Sequence, residues 1–109
     1  MAFDISATFQ SMESAVQSTV TTAWPQAQAI WLQFAQTNKD ILQDIAMATI
    51  SGGMTTAQLQ SYLADMKTTL QTQLLASEIM ALAVAQAAAN VALDIFWAAV
   101  NKAIGLKTT

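Results

Sequence analysis

Residues 74–106, LLASEIMALAVAQAAANVALDIFWAAVNKAIGL, decide the fold. Their only ionised side chains are Glu78, Asp94 and Lys102. The rest is mostly Ala, Leu, Val and Ile, and no proline or glycine appears before Gly105. A helix on a soluble monomer buries one stripe and wets the remainder. This stretch can wet only a narrow strip. It therefore needs a second covering surface, either another chain or a lipid bilayer.

Upstream, Thr55 and Gln58 have capping-box spacing, which predicts a helix start at Thr56. Nothing interrupts the run to Ile104, so one helix of roughly 74 Å is expected, with Gly105 as its C-cap. Its first half carries Leu59, Leu63, Met66, Leu70 and Leu74 as a seam. Ser51-Gly52-Gly53-Met54 precedes it and closes an earlier helix, because glycine adopts the left-handed cap at no steric cost. Ile50-Ser51-Gly52-Gly53 also resembles the double-glycine end of bacteriocin leaders. It departs from them at Ala46, where those leaders carry an acidic residue, and the helix-cap reading accounts for both glycines.

The helix before that turn is expected from Pro25 to Ile50, with a seam of Ala27, Trp31, Phe34, Asn38, Ile41, Ile45 and Ala48. A first helix is expected from Ile5 to Thr22, N-capped by Asp4 or Ser6, with a stripe of Ile5, Phe9, Met12, Val16 and Ala23 in which Thr19 fills one slot. Residues 18–22 are rich in β-branched side chains and lie just ahead of Pro25, the one proline. A kink or break belongs there, with Pro25 in the first turn of the next helix. The expectation is all-α and a single domain over 1–109: a long antiparallel helical hairpin. Arm one spans 5–50 and is kinked at Pro25, the turn spans 51–55, and arm two spans 56–104. Such a hairpin would assemble into a larger helical bundle.

Composition narrows the function. The chain has 109 residues, 54% hydrophobic and 10% charged, with a formal net charge of −3. Its mean hydropathy is +0.40. Disordered chains show the opposite balance. All four basic residues are lysines, scattered at Lys39, Lys67, Lys102 and Lys107. Nucleic-acid binding needs clustered basic side chains, so that class is set aside. Histidine, cysteine and arginine are absent. The usual general base, the thiol nucleophile and the common zinc ligands go with them. Asp40 and Asp44 lie one helical turn apart but offer too few oxygens for a hard cation, and a solvated face is expected. No catalytic, cofactor or metal residue is assigned, and no enzyme activity is expected.

Two features of arm two carry the functional expectation. Glu78, Gln86, Asn90 and Asp94 form a polar strip, read as its wet face or as the lining of a lumen between copies. Leu82, Val84, Val91, Ile95, Phe96 and Trp97 point in too many directions for one partner arm and are expected at an assembly interface. Ala81, Ala85 and Ala89 make a small-residue ridge suited to close packing. The segment Ile79 to Val100 is long enough to span a bilayer, although Asp94 would cost several kcal/mol inside it.

The first functional expectation is a structural subunit that self-assembles, or packs with partner helices, into a bundle, tube, filament or virion component. The alternative is a small membrane-active protein, a pore former, holin or toxin, inserting residues 79–100 into lipid. The opening Met1-Ala2-Phe3-Asp4-Ile5-Ser6 lacks the basic start and apolar core of a signal peptide. Localisation stays open, and non-classical secretion and virion association both fit.

Overall fold

The computed structural model describes residues 3–78 and 80–108. The chain is all-α, and no strand occurs among the described residues. Four helices follow one another: α1 (Ile5–Val20), α2 (Trp24–Ser51), α3 (Thr56–Ala76) and α4 (Leu82–Thr108). A single 3-10 turn, Thr21–Ala23, separates α1 from α2.

Three boundaries follow from local chemistry. Asp4 caps α1, its Oδ1 accepting from the Ala7 amide at 3.1 Å. The Thr55 hydroxyl accepts from the Gln58 amide at 3.1 Å, and the Gln58 side chain accepts from the Thr55 amide at 2.9 Å. Both halves of the capping box are therefore made. Gly52 ends α2 at φ 89°, ψ 3°, and its amide reaches back to Ala48 and Thr49 carbonyls. A Cβ there would meet nothing within 4 Å, so the need for glycine is conformational rather than steric. Gly52→Ala should accordingly cost about 1 kcal/mol, read as a lower urea midpoint with an unchanged slope.

The helices pack as an antiparallel up-down-up-down bundle. Lys39 Nζ donates to Ser6 Oγ at 3.3 Å, and Trp31 Nε1 donates to Glu13 Oε2 at 3.1 Å, so α2 runs back along α1. The Phe9 and Trp31 rings lie 5.9 Å apart in the same seam. Lys67 pairs with Asp94 at 2.8 Å between α3 and α4. The most extensive helix contact is between α1 and α4, and it closes the bundle. The molecule measures 44 × 22 × 21 Å, one long helix by two helix diameters each way.

This corrects the long hairpin in two places. The first arm is reversed rather than kinked. Pro25 does sit in the first turn of α2, but the chain turns at Thr21, whose φ of 51° and ψ of −112° are unusual for a β-branched residue. The second arm is not continuous either. It breaks between Ala76 and Leu82, with Glu78 at φ 59°. At the far end, α4 runs through Gly105 to Thr108 rather than ending there, and Gly105 does not take a positive φ.

The core also shifts in register. After Asn38 the buried line steps to Leu42 and not to Ile41, which is 47% exposed. After Val16 it steps to Val20 rather than Thr19. A strict heptad keeps one seam only if the helices supercoil, whereas a straight helix at 3.6 residues per turn drifts about 20° per heptad. The extra four-residue steps absorb that drift. In α3, Leu59, Leu63, Leu70 and Leu74 are buried as expected, with Met66 half-buried.

Candidate functional site: the faces of α4 and the uncharged end

α4 is covered mainly from within the chain. Ala85, Ala88, Ala89, Ala92, Leu93, Phe96 and Val100 are fully buried. The alanines let neighbouring backbones approach closely, and Phe96 meets the Phe3 ring edge-on at 5.9 Å. Phe96 is therefore a core residue, not part of an interface. Val84, Ile95 and Trp97 are half-buried and packed against the same core. Val91 is half-buried, and only Leu82, at 52% exposure, is fully open. The expected interface set assumed that one arm covers α4, but the reversal at Thr21 brings a second, α1.

Gln86, Asn90 and Asp94 are exposed on the outer face of α4. Glu78 is exposed too, but it belongs to the turn before the helix. Asp94 is engaged by Lys67, with side-chain exposures of 64% and 31%. At that exposure the pair is worth no more than about 1 kcal/mol. Nothing in the sequence spacing identified Lys67 as this partner. Leu82–Gly105 is long and apolar enough to cross a membrane, with 39% of its most apolar window buried in the bundle. Ile79, the start of the expected 79–100 segment, lies outside the described residues.

Between α1 and α2 runs an open groove of about 410 Å³, with Phe9 and Trp31 in its wall. Its two charged groups are both engaged within the chain, Glu13 by the Trp31 indole and Lys39 by Ser6. No group of three or more potential metal-ligating side chains occurs among the described residues. Asp40 and Asp44 are both exposed on α2.

The topology produces a feature that residue counting missed. Both helix reversals, at Thr21–Ala23 and between the end of α3 at Ala76 and the start of α4 at Leu82, lie at the same end of the bundle. The chain leading into and out of them carries almost no charge. Residues 14–38 and 68–93 contain a single ionised side chain, Glu78. The other charges lie toward the middle and the opposite end. The turn end is Thr, Ser, Gln and Ala with half-buried Trp24 and Met80 and exposed Leu82. Depletion of charge distinguishes interface cores from ordinary protein surface. Only the folded order of helices reveals it, since the two segments are far apart in the chain.

Comparison of the chain with known protein families, with curated proteins and with solved structures gives no match.

Proposed function

We propose that this chain is a non-enzymatic structural subunit that packs with copies of itself, or with partner helices, into a larger helical assembly such as a tube, filament or virion component. The observation that carries this reading is the uncharged turn end. An end bathed in water gains solubility from charge, and this one has only Glu78. Leu82, Leu32, Ile41 and Tyr62, each 46–52% exposed, add apolar surface around the bundle. The absence of histidine, cysteine and arginine agrees with a role in packing rather than in chemistry.

Light scattering tests this reading in detergent-free buffer. A mass above the 11.6 kDa of one chain, growing with concentration, is expected. A single-chain mass at all concentrations contradicts it.

A second reading, membrane insertion of α4, draws on the length and apolarity of Leu82–Gly105. The two readings separate at Asp94. In an assembly, Asp94→Leu changes liposome partitioning only modestly. In a bilayer it removes a charge costing about 2.5–3.5 kcal/mol at a helix centre, and partitioning rises steeply. Little wild-type binding to neutral liposomes and a modest gain for Asp94→Leu are expected. Strong wild-type binding or dye leakage would favour the membrane reading.

A further inference from the structure

The groove between α1 and α2 holds two charges, one toward each end. Glu13 lies level with Trp31, whose Nε1 donates to Glu13 Oε2 at 3.1 Å. Lys39 lies level with Ser6, and its Nζ donates to Ser6 Oγ at 3.3 Å. Trp31 and Lys39 are eight residues apart on α2, about 12 Å along the helix. Both charged side chains are half-buried, and both bonds go to neutral groups. Among the described residues neither charge makes an ion pair, whereas Lys67 and Asp94 do. The groove is open because α1 packs far more extensively on α4 than on α2.

We propose that this groove is an interface between two copies of the chain, related by a two-fold axis that lies across it, at right angles to α1 and α2 and level with Ala35. The proposal rests on the reading of the chain as a self-assembling subunit and names the surface used. The axis lays each groove on the other end for end. Ala35 is midway between Trp31 and Lys39, so the Glu13 level of one copy meets the Lys39 level of the other. Each Glu13 then comes over Ser6 and Lys39 of the second copy, and an ion pair forms at both ends of the contact. The indole occupies Oε2 and leaves Oε1 for the ammonium. Half-buried charges gain most from such a partner, because water solvates them only in part. Asp4 and Asp40 share the Lys39 level, but at 100° per residue they stand well round their helices from the groove face.

The rest of α2 suits the same operation. Residues 24–38 carry no ionised side chain, and Lys39, Asp40 and Asp44 follow them. The axis sets the uncharged half of each α2 against the charged half of the other, so the two helices oppose no like charges. Leu32, 50% exposed on the rim of the groove, is covered in the pair. Area favours a side of the bundle over an end. A side measuring 44 × 22 Å offers roughly 800 Å² per copy, the size of a standard stable interface, and an end of 22 × 21 Å offers about half of that. The uncharged turn ends point to opposite poles of the pair and stay outside this contact, open to further growth.

Charge reversal tests the pairing. Lys39→Glu sets Glu13 of the second copy against a carboxylate, and Glu13→Lys sets Lys39 against an ammonium. Each variant alone should associate at least about tenfold more weakly than the native chain, read by light scattering against concentration. Mixed together, the two variants regain both ion pairs, and the mixed pair should associate about as tightly as the native chain. General attraction does not account for that recovery, since a two-unit change takes the net charge of −3 to −5 in one variant and −1 in the other. Recovery on mixing also separates the contact from any effect of the lost Trp31 bond within one chain.

A spin label gives a second measurement on native charges. The chain has no cysteine, and Gln36 is exposed on the groove wall beside Ala35, so Gln36→Cys places one label close to the axis. The two labels of a pair should read a short distance, between helices about 10 Å apart. Association that survives both reversals unchanged, or that brings no short distance between the Gln36 labels, overturns this interface and leaves self-assembly standing. Weakened variants that mixing does not rescue overturn it as well. A native chain of single-chain mass at all concentrations overturns both.

Discussion

Phe96→Ala should destabilise the folded chain by about 3–5 kcal/mol, the usual cost of truncating a buried phenylalanine. Phe96 is fully buried and packs edge-to-face on Phe3, tying α4 to the start of the chain. Domains of this size hold only about 5–15 kcal/mol in reserve, so the variant should sit close to unfolding at moderate temperature. Urea titration followed by far-ultraviolet circular dichroism reads the loss directly. If Phe96 lay at a subunit interface instead, the single chain would keep its stability and association alone would weaken. Leu82→Ala is the internal contrast. Leu82 is 52% exposed, and its truncation should move the midpoint by less than about 0.5 kcal/mol.

The second large effect comes from adding volume. Ala88 and Ala92 are fully buried within the alanine-rich face of α4. Ala92→Leu inserts three carbons where the backbones approach closely, which costs about 1–3 kcal/mol and more where neighbours cannot move. Ala88→Leu together with Ala92→Leu should push α4 off its neighbours, exposing apolar surface and promoting aggregation on heating. Ala98 is exposed on the same helix, and Ala98→Leu should be nearly neutral. Thermal melts of the three variants decide the matter. Equal melting temperatures would mean that α4 is not packed in the bundle as described.

The same residues explain what could be read from the sequence. Asp4, Pro25, Gly52 and the Thr55–Gln58 box each act within a turn of their own position, and each boundary they mark is present in the structure. The all-α class follows from the dominance of helix formers over breakers. The break between α3 and α4 was not legible, because no residue there carries a stop signal. It forms because folding back buries Leu74, Ala85, Leu93 and Phe96 in one core.

The reversal at Thr21 was half legible. The β-branched cluster marked a weak point but not the size of the turn. Because that turn adds α1 to the cover of α4, the expected interface contained Phe96, which belongs to the core. Conversely, the exposure of Ile41 and the pairing of Lys67 with Asp94 depend on register between helices, which a sequence period does not fix. The charge-poor end lies further still from the sequence, since it appears only when two distant turns are placed side by side.

Small-angle X-ray scattering extrapolated to infinite dilution, with the mass measured on the same samples, tests the single-chain bundle most directly. At the mass of one chain, 11.6 kDa, the bundle requires a longest dimension near 44 Å plus a hydration layer, and a radius of gyration little above the 13.9 Å of its Cα trace. A single-chain mass with a longest dimension of roughly 70 Å, the length of an unbroken second arm, would contradict it.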